Sequence, residues 1–436
     1  MTMVQTNTPS IWTNKNYVKL FTSYSISTLG QFFDMIAVFL IFSYVWQAEP
    51  WMIALIPVAY ALPHAAFSQF AGILVDRYHK VTIMLTADVV TACLTVALIF
   101  TANPWAALLV ILARSTATIV HFPAQQAIIR QVVAPDHVLK AVTLNGTVNQ
   151  LSKIIGPFLG ASLAAAFAPQ VSFAVYAGAL VISAAILVKI RHLDTAGTSI
   201  SKEPREPFWQ TWRNGWQILF SSKVMFVSFA FSLAAFTAIQ LVDAQFGVLF
   251  REVYPARQEV LGYAMAASGL GAVVIIMVMN RLRELKRYGS FLGTSVALIG
   301  AGFAGVGLLT PGISLFWPVI ACFAVGVGAG IFSVVYSYIL QKESPEGKVG
   351  QMSGLFNSLT GVILLAAPIA GGLLVQMFSV FGVYQAVGLT VLGIGVFGIV
   401  FQPFLWGKPQ AEKASESTGM ALRSEAEDKK EEAGVS

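Results

Sequence analysis

The strongest constraint on this chain is a succession of apolar stretches, each long enough to cross a lipid bilayer and separated from the next by a short polar interval. A hydrocarbon core of about 30 Å takes roughly 20 helical residues. Runs of about that length or more are expected at 18–46, 51–75, 81–101, 105–124, 142–167, 171–190, 224–248, 260–280, 291–309, 313–340, 352–378 and 383–405. In lipid every backbone N–H and C=O must be satisfied internally, so such runs become helices. The composition agrees: 56% of residues are hydrophobic, 11% are charged and the mean hydropathy is +0.72, whereas about a quarter of a soluble domain is charged. The expected fold class is an all-α integral membrane protein with twelve transmembrane helices in two six-helix pseudo-symmetric bundles.

Charge placement sets the orientation. The formal net charge is +6, but a nucleic-acid binder clusters its basic residues on a folded surface, and these lie between apolar segments. No nucleic-acid partner is expected; the bilayer is. Of the 27 Lys and Arg, Arg114 and Lys153 fall inside spans and Arg251 and Arg257 follow helix seven. All the others belong to the tails, to the loops after even-numbered helices or to the adjoining helix ends. Basic residues favour the cytoplasmic face, which predicts that both termini are cytoplasmic. Residues 1–16 lack the regions of a cleaved signal, so the first helix is expected to be retained.

The longest internal polar segment, 191–222, centres on Lys202-Glu203-Pro204-Arg205-Glu206-Pro207 and divides six helices from six. The expected plan is a tail at 1–16, a bundle at 17–190, a linker at 191–222, a second bundle at 223–406 and a disordered tail at 407–436. Within the linker, 209–220 reads as an amphipathic piece lying at the interface. The halves echo one another at a spacing of about 210 residues, as internal repeats of a transporter do. Pro135 and Gly156-Pro157-x-x-Gly160 correspond to Pro345 and Pro368-x-x-Gly371-Gly372, Asp34 to Asp243, and Asp76-Arg77 to Asn280-Arg281. Two like bundles imply alternating access to a site at their interface.

Ionisable groups within spans cost roughly 2.5–3.5 kcal/mol on insertion scales and mark function by default. Asp34, beside Gln31 near the middle of helix one, is the foremost. Burial disfavours the charge of its carboxylate, which suits a proton carrier. Arg114 on helix four needs an acid, a carbonyl or water; it either pairs with Asp34 or steadies the bundle. Asp243 on helix seven is placed in the cavity with Gln31. Phe32, Phe33, Phe236 and Phe246 are candidates for an aromatic pocket, against the alternative of facing lipid. Lys153 on helix five either meets the cargo, attracting anions and repelling cations, or pairs with an acid or snorkels. Asp88 on helix three either partners the loop after helix two or reaches the interface. His64 and His121 stand between proton relay and hydrogen-bonded packing, and Glu259 reads as a rim residue near Arg251 and Arg257.

Other chemistry finds no residues. Cys93 and Cys322 lie in apolar runs of opposite halves, giving no disulfide framework or metal site. There is no phosphate-cradling Gly-x-x-x-x-Gly-Lys-Ser/Thr, His-Glu-x-x-His or Gly-x-Ser-x-Gly. No cofactor and no enzymatic activity are expected.

The interval after the second run carries a more specific signal. Gly72-Ile73-Leu74-Val75-Asp76-Arg77-Tyr78-His79-Lys80 resembles the signature between helices two and three of the major facilitator superfamily, a large group of secondary transporters. His79 stands where that family usually has Gly, and Val81 where another basic residue is common. The resemblance implies that Asp76 and Arg77 latch the cytoplasmic face, with Gly72 allowing close approach and Lys80 adding charge there. Leu112-Ala113-Arg114 partly matches the helix-four motif that superfamily exporters use in proton coupling, which assigns Arg114 to Asp34.

Gly156, Pro157 and Gly160 resemble the antiporter signature of drug exporters, with Thr143, Ser152 and Ala161 at its other glycine places. With Phe122-Pro123-Ala124 on helix four, these features make the chain similar to the macrolide-efflux and multidrug branch. The implied activity is proton-coupled export of small amphiphilic compounds by a monomer in a bacterial inner membrane. The alternatives are siderophore or peptide export and, in another class, a transport-inactive sensor.

Overall fold

The computed structural model describes residues 11–193, 208–279, 281, 287–345 and 348–406. The linker centre at 202–207, Asn280 and the tail 407–436 lie outside these. The first half of the chain builds α1 (Lys15–Leu40), α2 (Leu55–Arg77), α3 (Lys80–Ile99), α4 in two segments (Pro104–Thr118 and His121–Val132), α5 (Pro135–Ala166) and α6 (Pro169–Val188). The second builds α7 (Lys223–Asp243), α8 (Glu259–Met279), α9 (Tyr288–Gly307), α10 (Phe316–Glu343), α11 (Val349–Met377) and α12 (Val380–Val400).

Among the described residues eleven spans are long and apolar enough to cross a membrane. The further helix of the expected twelve, α5, has 32 residues, a length of roughly 48 Å at 1.5 Å per residue. A separate amphipathic helix, Phe208–Ser221, packs on α7 and α11, close to where the sequence placed it.

Helix starts follow local chemistry. Asn14 accepts from the backbone N–H of Asn16 and Tyr17, both at 3.1 Å, and Asn103 from that of Ala106 at 2.8 Å. Ser222 and Ser379 cap α7 and α12 in the same manner, each satisfying a donor that a helix N-terminus leaves open. Pro104, Pro135 and Pro169 begin α4, α5 and α6, where a missing N–H costs nothing. The break in α4 was not expected. Pro123 cannot donate to the carbonyl of Ile119, and the helix opens at Ile119–Val120 before resuming to Val132.

Within the first half, α1 packs on α5 and α6, α3 on α6, and α4 on α2 and α3; within the second, α9 packs on α10 and α12, α8 on α10, and α7 on α11. Glycine lets backbones touch where apolar side chains gain little from leaving lipid. A Cβ on Gly326 of α10 would stand 1.8 Å from the Ser268 carbonyl oxygen of α8, and one on Gly388 of α12 would stand 2.2 Å from the Ala304 nitrogen of α9.

The halves meet through α5 against α8, and through α2 and the short helix Pro50–Ile53 against α11. At the end away from the basic loops these crossings are tight: a Cβ on Gly262 would lie 2.1 Å from that of Ala161, and one on Gly372 2.7 Å from that of Ala54. Toward the basic end Gly146 of α5 and Gly354 and Gly361 of α11 would meet nothing within 4 Å. Among the described residues, the crossings between the halves are tight at the far end and loose toward the basic one.

Gly326→Ala is therefore expected to cost about 1–3 kcal/mol through overpacking against backbone, and Gly354→Ala to leave stability unchanged or slightly raised. Thermal unfolding of the purified variants in detergent, followed by tryptophan fluorescence, measures both.

Candidate functional site

A single face of α1 organises the interior. Gln31, Asp34, Met35 and Phe39 follow helical spacing and line a cavity of about 780 Å³ between the halves. From the first half Tyr60 and His64 of α2, Arg114 of α4 and Lys153 of α5 join them; from the second come Gln240 and Asp243 of α7 and Met265 of α8. A smaller compartment of about 350 Å³ shares Met35, Lys153, Asp243, Phe246 and Met265 with it and reaches Phe303 of α9 and Cys322 of α10.

Asp34 and Arg114 are brought together. The guanidinium donates to both carboxylate oxygens at 2.6 Å, and the two side chains are 1% and 3% exposed. This bidentate fork matches the planar group to the carboxylate. The Tyr60 hydroxyl accepts from the same guanidinium at 2.6 Å and donates to Asp34 at 3.2 Å. Thr95 of α3 accepts a fourth bond at 3.3 Å while donating to the Thr91 carbonyl. The rings of Tyr60 and Tyr176 each lie with their centroid 5.7 Å from the guanidinium carbon. Breaking such a buried pair from one side costs about 3–5 kcal/mol, because it leaves the other charge without its partner.

The other expected residues divide. Gln31, Asp243 and Lys153 line the cavity. Phe33 and Phe236 are walls of neither compartment, which corrects their assignment. Phe33 sits one residue off the Asp34 stripe, about 100° around the helix, and its backbone abuts Gly160. Phe236 lies four residues before Gln240 on α7, and nearly two turns before Asp243. The aromatic walls are Phe39 and Phe246 in the larger compartment, and Phe32, Phe246 and Phe303 in the smaller.

Gly156 and Gly160 fit against Phe32 and Ile36 of α1, with Pro157 lining the smaller compartment. In the loop signature the side chains of Asp76 and Arg77, and Gly72 with them, lie outside the described ones; Lys80 is buried at the start of α3.

Asp88 takes a third course. It accepts from Ser183 of α6 at 2.6 Å, with Ser23 of α1 2.7 Å from the same hydroxyl. His121 Nε2 lies 3.2 Å from its other oxygen, without hydrogen-bond alignment. Glu259 receives the Arg257 side chain at 2.9 Å on the rim.

Arg251 has a role that its position in the sequence did not reveal. After Leu40 the first helix widens into a π turn, Ile41–Val45, in which Trp46 bonds back to Ile41 and Ala48 to Phe42. Arg251, on the short helix Phe246–Val253 of the second half, donates to the carbonyls of Ser43 at 3.0 Å and Ala48 at 3.4 Å. Gln245 donates to the Pro50 carbonyl, Gln258 to that of Ala164 and Gln376 to Glu49. Each of these bonds joins the two halves at this far end.

A central cavity walled by two halves, with charges in its membrane-embedded walls, defines a transport protein. The comparisons agree. The sequence matches the Major Facilitator Superfamily over residues 20–368 and again over 260–431, and the chain belongs to that family. It is a multi-pass membrane transporter of a small-molecule substrate and not an enzyme.

It is 24% identical over 396 residues to the uncharacterized MFS-type transporter YfiS of Bacillus subtilis, covering 90% of this chain and 94% of that one. It is 23% identical over 324 residues to macrolide efflux protein A of Streptococcus pyogenes, covering 73% and 78%. Among solved structures, a peptide transporter POT in complex with sulfate superposes with a TM-score of 0.68 at 14% identity, covering 90% and 95%. The nucleoside transporter NupG does so with 0.65 at 16%, covering 90% and 99%.

The Arg251 contacts yield a test. Arg251→Met should loosen the far end, so that a cysteine replacing Phe39, in a chain whose Cys93 and Cys322 are serines, reacts faster with an impermeant maleimide applied to the face opposite the termini. An increase of about fivefold corresponds to roughly 1 kcal/mol of lost closure.

Proposed function

We propose that this transporter exports small amphiphilic compounds, of drug or macrolide type, in exchange for protons in a bacterial inner membrane. The bundles at 17–190 and 223–406, joined by 191–222, rock about the central cavity as a monomer, with the tails 1–16 and 407–436 on the cytoplasmic side. The observation that carries this reading is the Asp34–Arg114 pair in the cavity wall. A titratable carboxyl is held there in a single geometry, where the cavity and a membrane-embedded bundle meet.

With Asp34 ionised, the pair adds no net charge to the cavity. A proton on Asp34 replaces two charge-assisted bonds with weaker ones and leaves the guanidinium charge uncompensated. One proton thereby changes both the bonding among α1, α2 and α4 and the charge that a cargo meets. A state open toward the basic end is the one that loads cargo from the cytoplasm, if that end is cytoplasmic as the distribution of Lys and Arg indicates. The macrolide efflux relatives support export, and the largely apolar walls with a few polar groups suit an amphiphile.

Asp34→Asn should abolish export driven by an imposed pH gradient, measured in proteoliposomes with a fluorescent cargo, while the protein still elutes as one folded species. Normal gradient-driven export would remove Asp34 from the coupling. The latch assigned to the loop makes a kinetic prediction: Asp76→Asn should slow turnover severalfold with cargo affinity kept within about twofold. Weaker binding at an unchanged rate would overturn that role.

A further inference from the structure

We infer that the proton leaves Asp34 along a buried polar file inside the first half, which runs from the Asp34–Arg114 pair to Asp88 and His121 near the basic end, apart from the cavity that carries the cargo. This rests on the proton exchange proposed above and adds the residues that take the proton onward. On α3, Asp88, Thr91 and Thr95 follow the i, i+3, i+7 spacing of one helix face, and all three are buried. On α1, Ser23, Ser27 and Asp34 recur on one face, and on α6 Tyr176 and Ser183 stand two turns apart; these are buried as well. Ser183 donates to Asp88 at 2.6 Å and lies 2.7 Å from the Ser23 hydroxyl, which brings the three faces together. Asp88, Thr91, Thr95 and His121 line neither compartment of the cavity.

The file has ionisable groups at each end. At one, Thr95 accepts from Arg114 at 3.3 Å, and the Tyr176 ring lies 5.7 Å from the guanidinium carbon while close enough to Asp88 to feel its charge. At the other, His121 begins the resumed segment of α4, just past the opening at Ile119–Val120. Its Nε2 is 3.2 Å from Asp88 without being aligned on it, so turning the ring breaks no hydrogen bond of that nitrogen. His121 is 16% exposed against 3% for the Asp88 side chain, and it is the member of the pair that meets the outside. Among the described residues, the ionisable groups facing Asp88 are thus His121 of α4 and Tyr176 of α6, and α1 presents Ser23. Asp88 and Thr95 are seven residues apart, roughly 10 Å along α3, too far for a direct transfer and within reach of a short water chain. Thr91 stands between them, and its buried hydroxyl has no hydrogen-bond partner among the described residues; water normally satisfies such a group. Chains of Asp and His serve as proton relays within membranes. The proton given up by the Asp34 carboxyl passes along that water to the ionised Asp88, and from the Asp88 carboxyl to the neutral His121 imidazole, which releases it at the basic end. Asp34, paired again with Arg114, and Asp88 are left as carboxylates and His121 neutral, ready for the next proton.

The test uses the purified full-length protein in proteoliposomes with radiolabelled erythromycin. Export driven by an imposed pH gradient is compared with exchange of labelled for unlabelled macrolide at equal pH, which moves cargo without a net proton step. Asp88→Asn and His121→Gln should each slow gradient-driven export about tenfold or more, with exchange kept within about twofold. Thr91→Val keeps the shape of the side chain and removes a hydroxyl that ties no helix to another. It should slow gradient-driven export about threefold, with exchange and thermal stability unchanged. The inference is overturned if Asp88→Asn and His121→Gln export normally, or if exchange in them falls in step with export. Normal export by Thr91→Val would also overturn it, by reducing Asp88 and His121 to a contact that steadies the bundle. Asp34→Asn is carried through the same assay. Its loss of gradient-driven export beside normal Asp88→Asn and His121→Gln would end this route and leave the proton reading standing, whereas a wild type in which the gradient drives no macrolide would end both.

Discussion

Two opposite charges that cannot be separated cheaply sit at the centre of this molecule, and much of its first half is arranged around them. The fork between Asp34 and Arg114 joins α1 to α4, Tyr60 brings in α2, and Thr95 brings in α3. Four helices thus converge on one ion pair in a region where apolar contacts have lipid as an equal competitor. A buried pair of this kind is weak evidence for stability as such, since hydrophobic residues of the same volume often serve as well. On the mechanism proposed above, its value is that a proton would remove one of the two charges. Tyr60 can then keep one bond to the guanidinium, but the geometry that fixed α1 against α4 no longer has its reason.

On the same proposal, the remainder of the structure would turn a local change of that sort into a change of shape. Within each half, glycines press backbone onto backbone, as at Gly326 and Gly388, and leave little freedom to deform. Between the halves the contacts are of a different kind. They are concentrated at the far end, and they include the Ser43 carbonyl of the π turn after α1 and the Ala48 carbonyl just beyond it, to both of which Arg251 donates. Such bonds are exchangeable for water. A rigid body on each side and a replaceable seal between them make rocking cheaper than bending.

Much of this was legible in the sequence because the bilayer imposes one-dimensional rules. Twenty apolar residues and a basic loop each have a single cheap interpretation in lipid, so the helices could be read directly, while Arg114 stood out as a charge that needed a partner without the sequence deciding between Asp34 and a bundle contact. What escaped depends on rotation about a helix axis or on neighbours distant in the chain. Phe33 is adjacent to Asp34 but turned toward α5, and Phe236 shares a face of α7 with Asp243 but not its depth. Asp88 found Ser183 and His121, which no spacing along α3 announces. Pro123 was visible as a helix ending; that the helix resumes beyond it follows because losing one donor interrupts a helix without requiring the chain to turn away. Arg251 looked like a stray cation on the sparsely charged side until the π turn opposite it supplied acceptors.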